Sequence, residues 1–378
     1  MTTLAKNINV SKFCAIDSPK TIQDLYPTTL EIERLVIETR EEIQDILEGK
    51  SQKVICIVGP CSIHNADDAL EYAKKLAVLR EKYRTHLLII MRVYFEKPRT
   101  TVGWKGFIND PDLNNTFNVN KGLREARRLL VEINKLGLPC GCEMLDPFTP
   151  QYFDDLISWA AIGARTCESQ IHRQLVSGLS MPTGFKNTTG GNVQSALDGM
   201  RAASIEHVFF GINDKGENCM IHTKGNKNTH LILRGSTDGP NYHKEFIESC
   251  NSDNIMIDCS HGNSCKDYRN QSKVLMDVLG QIKEEREKTE REKTERENLK
   301  HKIIGVMIES NLKEGKQLIE LIGSNEIKPL EPGVSVTDSC ISIDETEMLL
   351  DIMFKEMIKI NERELLLDIL FKATTKTM

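Results

Sequence analysis

The chain has 378 residues, and its 39% hydrophobic content is enough for a sizeable core without disulfide or metal staples. A formal net charge of -6 gives no basic excess of the kind that marks nucleic-acid binding, and no run of 18 apolar residues is present to span a membrane. The eleven cysteines lack finger-like or disulfide-framework spacing, and the N-terminus (MTTLAKNINVSKFCAID) lacks an apolar signal core, so a reduced, cytoplasmic protein is expected.

Residues 1–27 read as polar and irregular, ending at Pro27. A helix is expected from Thr28, with Glu31 completing a capping box, Leu35, Val36, Ile43, Ile46 and Leu47 as its apolar positions, and Gly49 as its stop. This arm and helix (1–52) precede the first strand, so they stand outside any strand–helix unit. From Val54 short apolar runs alternate with helical patterns. The runs are 54–59, 87–94, 139–145, 160–166, 182–187, 207–212, 230–235, 254–260 and 303–310, and the helical patterns include 67–82, 119–136, 150–159, 169–179, 192–203 and 266–284. Repeated strand then helix means a parallel sheet. Eight such units close a (β/α)8 TIM barrel, which needs roughly 250 residues.

Nine strand-like runs are one too many, so one belongs to an insertion. The turn-rich stretch GINDKGENCMIHTKGN places an inserted β-hairpin at about 213–235, within a catalytic barrel spanning 53–360. An open, doubly wound sheet fits the same alternation. Residues 283–300 form a charge-balanced repeat with favourable i,i+4 pairs such as Glu287–Arg291. It reads as a solvated helix extension, a partner-binding segment being the other use. The tail 361–378 continues or follows the last helix, and its apolar residues need the barrel wall or another subunit to cover them.

Barrel enzymes carry their chemistry at the carboxyl ends of the strands. Two sets of residues stand there. Cys61, His261, Glu309 and Asp338 could each give one lone pair to a divalent ion, and mixed S, N and O donors suit Mn, Fe, Co or Zn rather than Ca or Mg. From strand position alone, a core cysteine and a satisfied polar histidine fit those places as well. Arg92, Lys97, Arg99, Lys105, Arg165, Lys186 and Arg234 are cations on or just beyond strand ends. Several cations pointing into one mouth repel each other unless an anion joins them, so they imply phosphates or a phosphate with a carboxylate. Phosphate loops of the Walker or Rossmann types are absent from the expected places.

MRVYFEKPRTTVGWKGFINDPDLNN (91–115) closely resembles the signature of the microbial, aromatic-amino-acid-regulated class of 3-deoxy-D-arabino-heptulosonate-7-phosphate (DAHP) synthases. GPCSIH, GARTCESQIHR, GFKN, ILRG, GVMIES and VTDSCI also match, in order, from about residue 25 to 355. The resemblance implies condensation of phosphoenolpyruvate with erythrose 4-phosphate in a homodimer or homotetramer. It implies one divalent metal ion held by Cys61, His261, Glu309 and Asp338. It assigns phosphoenolpyruvate to Arg92, Lys97, Arg165, Lys186 and Arg234 with Glu143 nearby, erythrose 4-phosphate to Arg99 and Thr100, and proton transfer to Lys97.

It further implies an effector pocket for an aromatic amino acid at Gln151, Leu175, Leu179, Ser180, Phe209, Gly211 and Ile221, built partly by the hairpin and a neighbouring subunit's arm. Gly211, which leaves room for a phenol hydroxyl, favours tyrosine. Departures from the family pattern are NTTGGN after Lys186, Cys259, Pro332 and the charged repeat; none removes an implied ligand or anion contact. Two alternatives are a 3-deoxy-octulosonate 8-phosphate synthase, which lacks the KPRTTVGWKG loop, and a silent regulatory paralogue of the same fold.

Overall fold

The computed structural model describes residues 5–291, 302–322 and 325–375, the side chains of 288–291 and 363–375 excepted. In chain order the elements are α1 (Pro19–Leu25), α2 (Leu30–Leu47), β1 (Val54–Gly59), α3 (Ala66–Tyr83), β2 (Leu87–Arg92), α4 (Val119–Lys135) and β3 (Cys140–Glu143). There follow α5 (Pro150–Phe153), β4 (Trp159–Ile162), α6 (Gln170–Val176), β5 (Thr183–Lys186), α7 (Gln194–Ala203), β6 (Val208–Ile212), β7 (Asn218–His222) and β8 (Thr229–Leu233). The chain ends with α8 (Lys244–Ser249), β9 (Ile255–Asp258), α9 (Gln271–Arg291), β10 (Ile303–Asn311), β11 (Ile341–Ser342) and α10 (Ile343–Thr375).

Eight strands pair in parallel in the order β1-β2-β3-β4-β5-β8-β9-β10, and β10 returns to β1 with Ile55 opposite Gly305 and Gly59 opposite Glu309. That last pairing closes the (β/α)8 barrel and rules out the open sheet. Parallel barrel strands are buried on both faces, which is why VICIVG and LLIIMR carry no solvent-facing polar position. Val54, Cys56 and Val58 pack outward among the helices, in a cluster with Leu76, Leu79 and Ile89. Ile55 and Ile57 belong to a second cluster with Ile90, Trp159, Ile232, Met256 and Met307 that fills the interior.

α2 contributes Ile43, Ile46 and Leu47 to this interior cluster, so it stops the amino-terminal end of the barrel. Only the carboxyl end is left open. The helix is capped by Thr29, whose hydroxyl accepts from the Ile32 amide, and Gly49 follows it at φ 75°. The cap is therefore one residue later than expected, and the residue three beyond it is Ile32 rather than Glu31. The preceding segment also differs from its irregular expectation. Ser18 caps the short helix α1 with Pro19 in its first turn, and Tyr152 donates to the Asp17 carbonyl at 2.9 Å.

The hairpin is β6–β7, pairing Val208 with His222 and Ile212 with Asn218. It begins before the expected 213–235, and HLILRG is a barrel strand, paired on both sides, not part of the insertion. The pattern 150–159 is also not one helix: a four-residue turn of α5 and a 3-10 turn lead directly into β4. The charged repeat begins on α9, and its first turn is no solvated face. Arg286 is 2% exposed, with Nη2 donating to the Gln52 carbonyl at 2.8 Å, while Glu285 accepts from the Lys302 and Ile303 amides. Positions 292–300 of the repeat lie outside the described residues.

Candidate active site at the barrel mouth

The open end of the barrel holds a cleft of about 350 Å³. Of the residues singled out in the sequence, Lys97, Arg99, Thr100, Glu143, Arg165, Lys186, Arg234, His261 and Asp338 line it. Cys61, Arg92 and Glu309 form its floor, each 1% exposed or less. Lys105 does not belong to it. Only its backbone takes part, its carbonyl accepting from the Lys97 amide at 2.9 Å while its side chain is exposed elsewhere. Lys266, Lys316, Ser264 and Tyr268 line the cleft and were not anticipated.

Three of the four metal-ligand candidates converge. One donor atom each from Cys61, Glu309 and Asp338 lies within 4.8 Å of the others. His261 Nε2 stands 3.7 Å from Glu309 Oε1, so the imidazole faces the same point. β1 ends just before Cys61, β10 carries Glu309, and the loop before β11 carries Asp338. His261 sits in a left-handed turn after β9 at φ 56°, an uncommon conformation for a residue with a side chain. The thiol and the two carboxylates form a donor group that a divalent ion can use, with the His261 imidazole beside it.

The neighbours of these donors are charged. Lys97 Nζ donates to Cys61 Sγ at 3.2 Å and to the Cys61 carbonyl at 3.1 Å, and the thiol lies 3.7 Å from Asp338 Oδ2. Burial, with Glu309 and Asp338 adding to it, pushes the Cys61 thiol up to about 11. A thiol so placed becomes a ligand by giving up its proton to solvent as a metal binds, so metal uptake releases acid. Burial works against the charge of Lys97, but Cys61, Glu309, Asp338 and Glu143 hold its ammonium above the ordinary lysine value.

Glu309 accepts from Arg92 Nη2 at 3.0 Å and from Ser260 Oγ at 2.9 Å. Arg92 lies over the Tyr94 ring at 3.8 Å. Among the described residues its Nη1 is buried without a hydrogen-bond partner, as is Glu143 Oε1. A Cβ at Gly163 would lie 2.0 Å from that Glu143 oxygen, so the glycine leaves the carboxylate its place. Unpartnered polar atoms in so buried a floor mark positions a ligand can satisfy.

Lys186 is tied to wholly buried Asp258 at 2.8 Å. Burial opposes the Asp258 charge, yet His261 and Lys186 hold the carboxyl well below its usual range. Asp258 was not singled out in the sequence, although a polar residue ending the apolar run IMID was a visible signal. Toward solvent the cations become freer. Arg165 Nε donates to Thr100 Oγ1 at 3.2 Å, joining two loops at the rim, and Arg99 Nε donates to the Trp104 carbonyl at 2.7 Å. Such a floor-to-rim gradient of cations can seat two anions, one deep and one at the mouth.

A second cavity, of about 500 Å³, lies away from this cleft between α5, α6 and the hairpin. Gln151, Leu175, Leu179, Phe209, Gly211 and Ile221 line it. Ser180 does not; its hydroxyl donates at 2.9 Å to Asp154, which does. The walls are mainly apolar, with Gln174 and Asp154 among the polar exceptions.

The sequence matches the DAHP synthetase I family over residues 34–351. It is 44% identical over 352 residues to the Tyr-sensitive phospho-2-dehydro-3-deoxyheptonate aldolase of Escherichia coli (strain K12), covering 91% of this chain and 94% of that one. It is 46% identical over 347 residues to the phenylalanine-inhibited phospho-2-dehydro-3-deoxyheptonate aldolase of Saccharomyces cerevisiae, covering 89% of each. The solved phospho-2-dehydro-3-deoxyheptonate aldolase of Francisella tularensis SCHU S4 superposes with a TM-score of 0.84 at 46% identity, over 92% of this chain and 98% of that one.

Proposed function

The chain belongs to the DAHP synthetase I family, and from that premise we propose how the mouth of its barrel carries out the family's reaction. The enzyme is a DAHP synthase: it joins phosphoenolpyruvate, D-erythrose 4-phosphate and water into 3-deoxy-D-arabino-heptulosonate 7-phosphate and phosphate, the first step of the shikimate pathway.

Phosphoenolpyruvate takes the deep position. Its carboxylate meets the free Nη1 of Arg92, and its phosphate meets Lys186, Arg234 and Arg165. Erythrose 4-phosphate takes the outer position, its phosphate on Arg99 and Thr100 and its aldehyde toward Lys97 and the four metal-ligand candidates. A divalent ion of the Mn, Fe, Co or Zn group, held by Cys61, His261, Glu309 and Asp338, would supply Lewis acidity to the aldehyde oxygen when bound.

The C3 methylene of phosphoenolpyruvate forms the new bond to the aldehyde carbon, and Lys97 delivers a proton to the aldehyde oxygen. Water oriented by the free oxygen of Glu143 adds to the cationic C2. Loss of phosphate from the resulting hemiketal phosphate then leaves the ketone. The cations contribute by holding anions in reacting positions inside a water-poor cleft, where placement and fixed charge count most.

The observation that carries these roles is the convergence of Cys61, Glu309 and Asp338 within 4.8 Å beneath a rim of cations. Release of inorganic phosphate from the two substrates, with and without a chelator and a metal series, tests them. Activity unchanged after complete metal removal would remove the ligand assignment.

The groove behind the hairpin is the effector site, and tyrosine is its ligand. Its apolar walls suit an aromatic ring, and Gly211 lets the Ile221 side chain lie close against the hairpin, where a Cβ would meet Ile221 Cδ1 at 2.1 Å. Inhibition titrated against tyrosine and phenylalanine decides this; stronger inhibition by phenylalanine would overturn the choice. A homodimer or homotetramer is supported by apolar residues that this chain leaves uncovered, Phe13 at 78% exposure on the arm and Phe210 at 93% on the hairpin. Among the described residues no helix is long and apolar enough to cross a membrane, and the cytoplasm is the compartment proposed.

A further inference from the structure

Two of the roles above meet at one atom. Lys186 ends β5, and Asp258 ends β9, with β8 between them in the barrel. Asp258 Oδ2 accepts from Lys186 Nζ at 2.8 Å and lies 2.9 Å from His261 Nδ1. Its other oxygen, Oδ1, is occupied by the Ser260 amide at 3.0 Å. The carboxylate has no exposure to solvent. Lys186 and His261 therefore share a single acceptor oxygen in a dry environment, where the difference between a good and a poor contact is large.

The sharing is unequal. Lys186 makes a full hydrogen bond, whereas His261 Nδ1 is close to Oδ2 but without a hydrogen bond of good geometry. Resting on the roles given to Lys186 and His261 above, we propose that Asp258 couples the metal site to the phosphate site: Lys186 and His261 compete for one carboxylate oxygen, and each ligand, by drawing on its own side chain, tightens the binding of the other.

The coupling follows from what each ligand does to its own side chain. A phosphate draws the Lys186 ammonium toward itself and loosens its hold on Oδ2. The carboxylate is then free to accept from Nδ1–H, and an imidazole hydrogen-bonded in this way is a stronger donor at Nε2. In the other direction, a cation at Nε2 makes the Nδ1 hydrogen more acidic and draws it toward Oδ2, which releases Lys186 to the phosphate. Linkage requires the two effects to be the same factor. Asp258 touches neither ligand in this scheme, so it is a positioning residue.

The test measures Mn2+ affinity from the signal of the free aquo ion, and phosphoenolpyruvate affinity by equilibrium dialysis, each with and without the other, on the full chain. The wild type is expected to show mutual tightening of about tenfold, within the range usual for coupled sites. Direct attraction between the anion and the ion survives in Asp258→Asn, but the tightening should fall at least fivefold. A merely structural role would weaken both affinities and leave their ratio intact, and that result overturns the proposal.

Should Asp258→Asn fail to fold, the wild type alone still decides. Phosphoenolpyruvate added without metal must shift the 15N resonances of the His261 imidazole, and unmoved resonances overturn the coupling. Lys186→Met must weaken phosphoenolpyruvate and His261→Gln must weaken Mn2+. If these two fail, the site assignments themselves are wrong; if they hold and the coupling survives Asp258→Asn, only the present inference falls.

Discussion

The mouth of the barrel and the groove behind the hairpin are built on opposite principles. The mouth is charged to its floor: Arg92 and Glu309, each 1% exposed, are paired at 3.0 Å, and Lys186 and Asp258 are paired at 2.8 Å. The groove is lined mainly by side chains such as Leu175, Leu179, Phe209 and Ile221, and its glycine on the hairpin gives place to the Ile221 side chain. The difference matters because buried charges tolerate no missing partner, whereas an apolar wall degrades gradually as its shape changes. Substitutions in the mouth should therefore act as switches, and those in the groove as graded adjustments.

The largest expected effect is at Lys97. Lys97→Met should lower kcat by about 10³-fold, the scale of a lost general acid, while tyrosine binding at the groove, followed by calorimetry, stays as it was. Turnover near the wild-type rate would remove the proton-transfer role. Next is Glu309→Gln, read as stability in metal-free protein. It strands the buried Arg92 guanidinium, so the loss should be about 3–5 kcal/mol by denaturant titration. A loss below about 1 kcal/mol, the size typical of an exposed pair, would mean that the floor is wetter than its burial implies.

In the groove, Gly211→Ser should weaken tyrosine inhibition by about tenfold and leave kcat alone, a change of roughly 1.4 kcal/mol. A Cβ at this position meets Ile221 Cδ1 at 2.1 Å, so that side chain must swing aside into the space given to the phenol. Unchanged inhibition would show that the ring lies elsewhere in the groove.

The two regions also differed in how far the sequence revealed them. Strand ends are fixed points in a parallel barrel, so Cys61, Arg92, Lys186, His261 and Glu309 could be placed at one rim from the positions of apolar runs alone. Lys105 failed the same reasoning because the loop after β2 turns back on itself at the Glu96–Gly106 bridge, so that Lys97 and Arg99 line the cleft and Lys105 does not. The hairpin was misplaced for a related reason. HVFFGI and HLILRG are both apolar runs, and only pairing shows that the first alternates in exposure along an isolated ribbon while the second is buried throughout. Asp258 was missed because its acid at the end of the apolar run IMID, though visible, shows its meaning only once its partners Lys186 and His261 are seen. α1 was legible in retrospect: Ser18 followed by Pro19 is a helix-start signal.

The last and smallest effect lies where the two regions touch. Glu96 precedes Lys97 on the active-site loop, and its Oε2 accepts from Thr149 Oγ1 at 3.1 Å and the Asp146 amide at 3.5 Å. The same segment carries Pro147, Phe148 and Pro150 into the groove wall. Burial, with Asp146 adding to it, raises the Glu96 carboxyl from 4.5 to about 8. Below pH 4.5 folded and unfolded chains both hold the proton, and the site costs nothing. Between 4.5 and 8 the unfolded chain gives the proton up while the folded one keeps it, so stability declines as pH rises, and above 8 the loss is complete. Glu96→Gln cannot ionise and escapes this decline. Relative to it, the wild type should lose about 1 kcal/mol from pH 6 to pH 7, somewhat under the 1.36 expected per unit if every proton counted. Melting curves of the two proteins that stay parallel across that interval would place the Glu96 proton elsewhere and leave mouth and groove without this ionisable joint.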